Sequence, residues 1–205
     1  MKTISKQQLQ NVKRVLIVID MVNGFVKEGV LASSNIEHII PNIIRTIEFC
    51  KERGDQLIFI RDCHSKGCSE CKPYGLYEEH CLNGTKECEL IDELQPYVTD
   101  DTLVIDKNNT NFMFAPMMIP YLEMMPNLEE VIGCGCLSEI CVANGLISLK
   151  QWCNEMNRQV EVVTSEDLME TYVAPGRDVT YWNQFAKQMM ELNGVKVYGK
   201  RKEWR

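Results

Sequence analysis

The sequence lacks both a concentration of positive charge and a long apolar segment. Its 205 residues carry a net charge of −7, and the only basic cluster is the short run at 200–202. A negatively charged protein repels phosphate groups, so neither nucleic acid nor an anionic membrane is expected as a partner. The apolar run at 15–19 is closed by Asp20, far short of the roughly 20 residues that cross a bilayer.

Histidine is scarce in this chain, whereas cysteine is abundant. There are three histidines and ten cysteines. The first ten residues, MKTISKQQLQ, are polar and contain no apolar signal-peptide core, which predicts a cytoplasmic protein. Because the cytosol is reducing, structural disulfides are disfavoured there. The cysteines are therefore expected to be core residues, metal ligands or a catalytic nucleophile.

Short apolar runs rich in valine and isoleucine alternate with segments of helical spacing. Continuous apolar runs are typical of strands covered on both faces. The alternation predicts one α/β domain over residues 1–205, with an open, doubly wound, mostly parallel sheet of about six strands and helices on both faces. The predicted strands are 15–20, 57–62, 103–107, 130–136, 160–167 and 195–199, and the predicted helices are 36–53, 141–156 and 178–192.

Three reactive side chains follow the predicted strands. Asp20 ends the first strand, Lys107 ends the third, and Cys141 opens the helix that follows the fourth. Ligands of open α/β sheets bind beyond the carboxyl ends of the strands, so we expect these side chains to face one pocket. An acid, an amine and a thiol in one pocket predict a cysteine hydrolase.

The chemistry of such a site gives each group a role. A helix N-terminus lowers the pKa of a thiol, and Asp20 could take the proton of Cys141 and later return it to a leaving amine. Lys107 would hold the carboxylate, and backbone N–H groups in the turn 136–141 could stabilise an oxyanion. A pair of Cys141 with His38 is the competing arrangement, although His38 also suits a surface or capping position.

Five stretches of this chain form a recognisable combination: VLIVIDMVNGF (15–25), RDCH (61–64), YEEHCLNGT (77–85), VIDKNNTNF (104–112) and GCGCLSEICV (133–142). In this order they resemble the isochorismatase-like cysteine hydrolases, and among them the nicotinamidases. The resemblance implies a catalytic triad of Asp20, Lys107 and Cys141. It also implies a cis peptide bond between Cys136 and Leu137, with an oxyanion hole made by the N–H groups of Leu137 and Cys141.

The loop at about 62–88 carries the part of the resemblance that concerns a metal. The resemblance implies Asp62, His64 and His80 as ligands, with Glu70 as a candidate fourth. Carboxylate and imidazole ligands suit one divalent ion, with Zn²⁺ expected and Fe or Mn as alternatives. A rival interpretation is a structural zinc site made by thiols of the same loop. Those thiols belong to Cys63, Cys68, Cys71 and Cys81.

The resemblance also implies that Phe25, Leu31 and Tyr77 surround a flat aromatic ring of the substrate. The implied reaction is hydrolysis of nicotinamide to nicotinate and ammonia through a thioester on Cys141, in a chain that could form a homo-oligomer. One alternative is another amidase of the superfamily, acting on a carbamoyl compound or a small amide. A second alternative is a zinc-stabilised thiol redox or binding protein.

Overall fold

A single parallel β-sheet forms the centre of the computed structural model, which describes residues 4–199. The strands are β1 Arg14–Ile19, β2 Gln56–Asp62, β3 Leu103–Lys107, β4 Glu130–Cys136, β5 Glu161–Ser165, β6 Met169–Glu170 and β7 Lys196–Tyr198. Six of them follow the order β3-β2-β1-β4-β5-β7, and the two-residue β6 pairs with β4. Every pairing is parallel, so the strands end at the same edge of the sheet.

Helices cover both faces of the sheet because side chains of each strand alternate between two apolar layers. Along β1, Leu16 and Val18 pack in the layer of helix α3 (Ile40–Glu52). Ile17 and Ile19 pack in the opposite layer, with helices α4 (Met118–Glu123), α5 (Ala143–Glu155) and α6 (Val179–Leu192). This alternation buries the strand on both sides and explains its continuous apolar run. The helices are α1 Lys6–Gln10, α2 Asn23–Val26, α3 Ile40–Glu52, α4 Met118–Glu123, α5 Ala143–Glu155 and α6 Val179–Leu192.

The predicted α/β class and all six predicted strands are confirmed. The short helices α1, α2 and α4 were not predicted, and two of the three predicted helices differ in their bounds. The predicted helix 36–53 is divided into a 3₁₀ segment, Ser34–Ile39, and α3. The predicted helix 141–156 begins later, at Ala143, because Cys141 lies in a preceding π-helical turn, Ser138–Val142. The strand β6 was not predicted, since two residues are too few to show a period.

All ten cysteines lie within the described residues, and each is buried and outside any disulfide. Among residues 4–199, no helix is both long enough and apolar enough to cross a membrane.

Gly135 allows the strand that leads to Cys141 to lie close to β1. Its φ is +125°, and a Cβ at this position would lie 1.9 Å from the carbonyl oxygen of Ile19. We expect Gly135→Ala to lower the free energy of unfolding by about 3 kcal/mol, from backbone strain and overpacking together. Gly176→Ala is the matched control, because Gly176 also has a positive φ of +74° but a Cβ added there would have no atom within 4 Å. Urea unfolding of both variants tests this, and equal losses would contradict it.

Candidate active site

The strand order places the reactive side chains next to one another. Because β3, β2, β1 and β4 are neighbours, Lys107, Asp62, Asp20 and the turn after β4 stand side by side at the carboxyl edge. Asp62 and Lys107 are partners in the β2–β3 register. Asp20 follows β1 directly and has a φ of 54°, a backbone conformation that non-glycine residues rarely adopt. Such strain is typical of functional positions.

Lys107 lies at the centre of this group. Its Nζ is 2.9 Å from Asp20 Oδ2 and 2.6 Å from Asp62 Oδ1, and it is 3.7 Å from Cys141 Sγ. All four side chains are buried. A buried ammonium needs opposite charges close by, and here two carboxylates provide them. The structure therefore brings together the three residues proposed for catalysis.

Burial has the largest effect on the pKa values of Asp20 and Cys141. It raises the pKa of Asp20 to about 6, against the opposing charge of Lys107. Burial also raises the pKa of the Cys141 thiol well above its ordinary value, although the Lys107 ammonium opposes the shift. The expectation that a helix N-terminus lowers the pKa of Cys141 is wrong for this structure, because Cys141 precedes α5 and is buried. Asp20 interacts with the thiol and is the group that can accept its proton.

The π-helical turn Ser138–Val142, here called the Cys141 turn, begins directly after a cis peptide bond between Cys136 and Leu137. The carbonyl of Leu137 accepts from the N–H groups of Ile140 and Val142, at 3.1 Å in each case. The family resemblance implied the same cis bond. Leu137 and Cys141, proposed as the oxyanion hole, both line the pocket described below.

A candidate cation site adjoins Lys107. Asp62, His64 and His80 are the one group of candidate ligands found among the described residues, and all three are buried. Asp62 Oδ2 is 2.9 Å from His64 Nε2 and 3.1 Å from His80 Nε2. Ligands about 2.1 Å from an ion and at right angles lie roughly 3 Å apart, so the spacing suits a divalent metal. Glu70 Oε2 is 3.6 Å from His64 Nε2, and its role as a fourth ligand stays a prediction.

The second nitrogen of each histidine has a hydrogen-bond acceptor. His80 Nδ1 is 2.8 Å from the carbonyl oxygen of Glu78, and His64 Nδ1 is 3.3 Å from Asn108 Oδ1. A proton on Nδ1 leaves the lone pair of Nε2 free for a metal. The residues present therefore fit a metal by their chemistry as well as by their spacing.

The four loop thiols do not converge on one point. Cys68 Sγ and Cys71 Sγ are 3.3 Å apart, but Cys63 interacts with Cys88 and Cys81 Sγ packs beside Gly24. Cys68 Sγ and Cys71 Sγ also lie 3.4 and 3.9 Å from the Nδ1 atoms of His64 and His80. The two thiols thus contact the histidines rather than form a four-thiolate site.

One small pocket contains both the thiol and part of the candidate cation site. The three residues proposed to contact substrate, Phe25, Leu31 and Tyr77, line it together with Cys141. Two larger clefts, of about 420 and 430 Å³, lie elsewhere on the surface and do not include Cys141. The full lining of the small pocket is Phe25, Leu31, Asp62, Glu70, Tyr77, His80, Thr110, Leu137, Ile140 and Cys141.

His38 does not line this pocket. It lies in the 3₁₀ segment before α3, is 57% exposed, and pairs with Glu170 at 2.9 Å. The competing arrangement of Cys141 with His38 is therefore not assembled, and His38 occupies the surface position that was its alternative.

Two residues near the site were not identified from the sequence. Asn108 directly follows Lys107, so its position at a strand end was an available signal for its contact with His64. Ile140 gave no such signal, because an apolar residue beside Cys141 has the pattern of ordinary helix packing. Its place in the pocket wall follows from the π-helical turn.

Comparison with known proteins gives matches over most of the chain. The family model described as the Isochorismatase domain matches residues 14–197. Nicotinamidase 3 of Arabidopsis thaliana is 29% identical over 131 residues, covering 62% of this chain and 60% of that protein. A probable inactive nicotinamidase of the same plant is 27% identical over 128 residues, covering 58% and 63%. The chain thus spans about three fifths of the length of the curated relatives it matches.

A solved structure supports the fold. The pyrazinamidase of Pyrococcus horikoshii in complex with zinc superimposes with a TM-score of 0.73 at 21% identity, covering 92% of this chain and 99% of that one. At this identity the similarity concerns the fold alone.

Proposed function

This chain belongs to the isochorismatase family, and from that premise we propose that it is a cysteine amidohydrolase that converts nicotinamide to nicotinate and ammonia. The observation that carries the proposal is the single pocket in which Cys141 faces Asp62, His80 and Glu70. A nucleophile beside a cation site suits a substrate that has both an amide and a ring nitrogen able to bind a metal.

In the first step, Cys141 Sγ attacks the carboxamide carbon while Asp20 accepts the thiol proton. The raised pKa of Asp20, about 6, lets this carboxyl hold a proton and release it again near neutral pH. Lys107 stays charged throughout, because burial lowers its pKa but Asp20 and Asp62 raise it further. The N–H groups of Leu137 and Cys141 would bind the negative oxygen of the tetrahedral intermediate.

In the second step, the C–N bond breaks and Asp20 gives its proton to the departing nitrogen, which leaves as ammonia. The product on the enzyme is a thioester of Cys141. A water molecule then gives a proton to Asp20 and adds to the thioester carbon. The C–S bond breaks, Asp20 returns this proton to the departing Cys141 thiolate, and the acid loses its own proton to water and leaves as nicotinate. Formation and hydrolysis of the thioester each use Asp20 first as base and then as acid.

The residues of the cation site would orient the substrate. A metal held by Asp62, His64 and His80 would supply a Lewis acid for the ring nitrogen. Phe25, Leu31 and Tyr77 supply the apolar walls for the ring. The pocket encloses only about 20 Å³ in this structure, so a ring must displace lining side chains as it enters.

Ammonia release measured with nicotinamide, pyrazinamide and small carbamoyl amides tests the assignment. We expect release from the two aromatic amides. Release from carbamoyl compounds alone would move the assignment to another amidase of the superfamily, and no release from any amide would favour a redox or binding role.

Asp20→Asn should remove the proton shuttle and keep the fold. An amide side chain has a similar size but cannot accept the thiol proton, so we expect turnover to fall by about 10²–10⁴-fold. Asp106→Asn is the matched control, because Asp106 likewise lies near the carboxyl end of a strand, in this case β3, but is half exposed and pairs with Arg61 at 2.7 Å. Circular dichroism checks the fold of both variants. Near-normal turnover by Asp20→Asn would refute Asp20 as the base.

A further inference from the structure

A buried ion pair lies behind the Cys141 turn, outside the pocket. Glu139, within the turn, accepts from Arg177 Nη2, and its Oε1 accepts from Thr171 Oγ1 at 3.0 Å. Arg177 Nη2 also lies 3.1 Å from Thr171 Oγ1. The side chains of Glu139 and Arg177 are only 5% and 13% exposed. Neither residue is among those that line the pocket.

The guanidinium of Arg177 is held between two aromatic rings. Its central carbon is 3.9 Å from the ring centre of Tyr172 and 4.6 Å from that of Trp182. An arginine stacked on aromatic faces and paired with a carboxylate has little freedom to move. Arg177 lies in the connection between β6 and α6, and Trp182 lies in α6. The rings thus join this part of the molecule to the turn that carries Cys141.

The Cys141 turn needs such a support. A π-helical turn is rare and commonly marks a functional site. The residue that caps this turn, Leu137, offers no side-chain hydrogen bond. Glu139 is two residues from Cys141, and its side chain links the turn by hydrogen bonds to Thr171 and Arg177.

We propose that Arg177 is a positioning residue for Cys141. By holding Glu139, it fixes the turn so that the thiol faces Asp20 and Lys107 while the N–H of Cys141 faces the substrate. The proposal rests on the proposed function only in taking Cys141 as the nucleophile. Arg177 acts through Glu139 and touches neither the substrate nor the reacting atoms.

The test compares Arg177→Met with Arg158→Met. Arg158 is a matched control, since it also stacks on an aromatic ring, that of Trp152 at 5.1 Å, and donates to the Leu122 carbonyl at 2.9 Å. It follows α5, and these two partners lie in α5 and α4 rather than in the Cys141 turn. The measurements are kcat and KM for nicotinamide, the rate of Cys141 alkylation by iodoacetamide, and the melting temperature. Alkylation needs no substrate, so it decides the proposal even if the chain does not hydrolyse nicotinamide.

We expect Arg177→Met to lower kcat and the alkylation rate by about 10- to 100-fold, as for a group displaced by about 1 Å, with a smaller change in KM. Arg158→Met should lower only the melting temperature. Arg177→Lys should recover part of the loss. Glu139→Gln should have the same effect as Arg177→Met, because both variants disrupt the ion pair between Glu139 and Arg177. These two milder variants also serve if Arg177→Met does not fold.

Three results would overturn the proposal. Unchanged kcat and alkylation in a variant that melts earlier would show that the pair is only structural. A higher KM with normal kcat would show that Arg177 binds substrate directly. Faster alkylation would show that the pair shields the thiol rather than positions it.

Discussion

We expect Cys141→Ala to lose turnover by several orders of magnitude. Alanine removes the sulfur that forms the thioester, so the reaction loses its covalent route rather than one stabilising contact. The side chain is buried at the edge of the pocket, and a smaller residue there should leave the fold intact. Ammonia release gives the rate, and the melting temperature shows whether the protein is still folded.

Cys134→Ala is the control for this prediction. Cys134 has no exposed surface, and its thiol lies 3.7 Å from the carbonyl oxygen of Ile17 within the sheet. Its loss should lower stability more than rate. Cys136→Ala should behave similarly, with some loss of rate, since its thiol lies 3.2 Å from the carbonyl oxygen of Asp20. If the alkylation that stops activity is found on Cys68 or Cys71 by mass spectrometry, Cys141 is not the nucleophile.

The sequence was informative about the fold because each central strand is buried on both faces. A run such as 15–19 has no polar residue to interrupt it, so its limits are clear. Once the strands are located, the carboxyl ends predict which side chains meet, and Asp20, Asp62 and Lys107 do meet there. Strand β6 was not predicted, because its two residues show no pattern of their own and form a strand only by pairing with β4.

The protonation state of the thiol could not be predicted from position alone. A residue at the start of a helix is expected to have a lowered pKa, but that expectation assumes contact with water. The burial of Cys141 reverses the direction. Burial depends on side chains distant in sequence, including Phe25 and Tyr77.

The prediction that the loop cysteines lie close together was correct only in part. A C-x-x-C motif predicts neighbouring thiols, and Cys68 and Cys71 are neighbours. Cys63 and Cys81 sit beside the candidate ligands in sequence, yet their side chains join the apolar layer of α3. Successive residues of an extended chain point to opposite sides, which separates Cys63 from His64.

Asp62 connects the two halves of the site. One of its oxygens is 2.6 Å from Lys107 Nζ, and the other lies 2.9 and 3.1 Å from the two histidines. The carboxylate that would bind a cation thus also balances the lysine of the proposed triad. Substitution of Asp62 would disturb both functions, so the histidines are the better positions at which to test the metal.

We expect His64→Ala to remove about one metal ion per chain, as for a single three- or four-ligand site. Without His64, the site keeps Asp62 and His80 as its buried ligands. Activity on nicotinamide should fall sharply, because a ring that is no longer held also misplaces the carboxamide. Cys141 should still react with iodoacetamide, and the protein should remain folded, because the metal is expected to orient substrate rather than support the core. Metal content and melting temperature are the measurements.

Two variants make this result specific. His38→Ala removes an exposed histidine that pairs with Glu170 at the surface, and it should keep both the metal and the activity. Cys71→Ser changes a buried thiol that lies 3.9 Å from His80 Nδ1, and it should keep the metal with at most a modest loss of stability. A structural zinc site made by thiols requires the reverse, since such a metal supplies folding free energy. Metal lost from Cys71→Ser but kept by His64→Ala would refute the proposed cation site and leave the general amidase assignment standing.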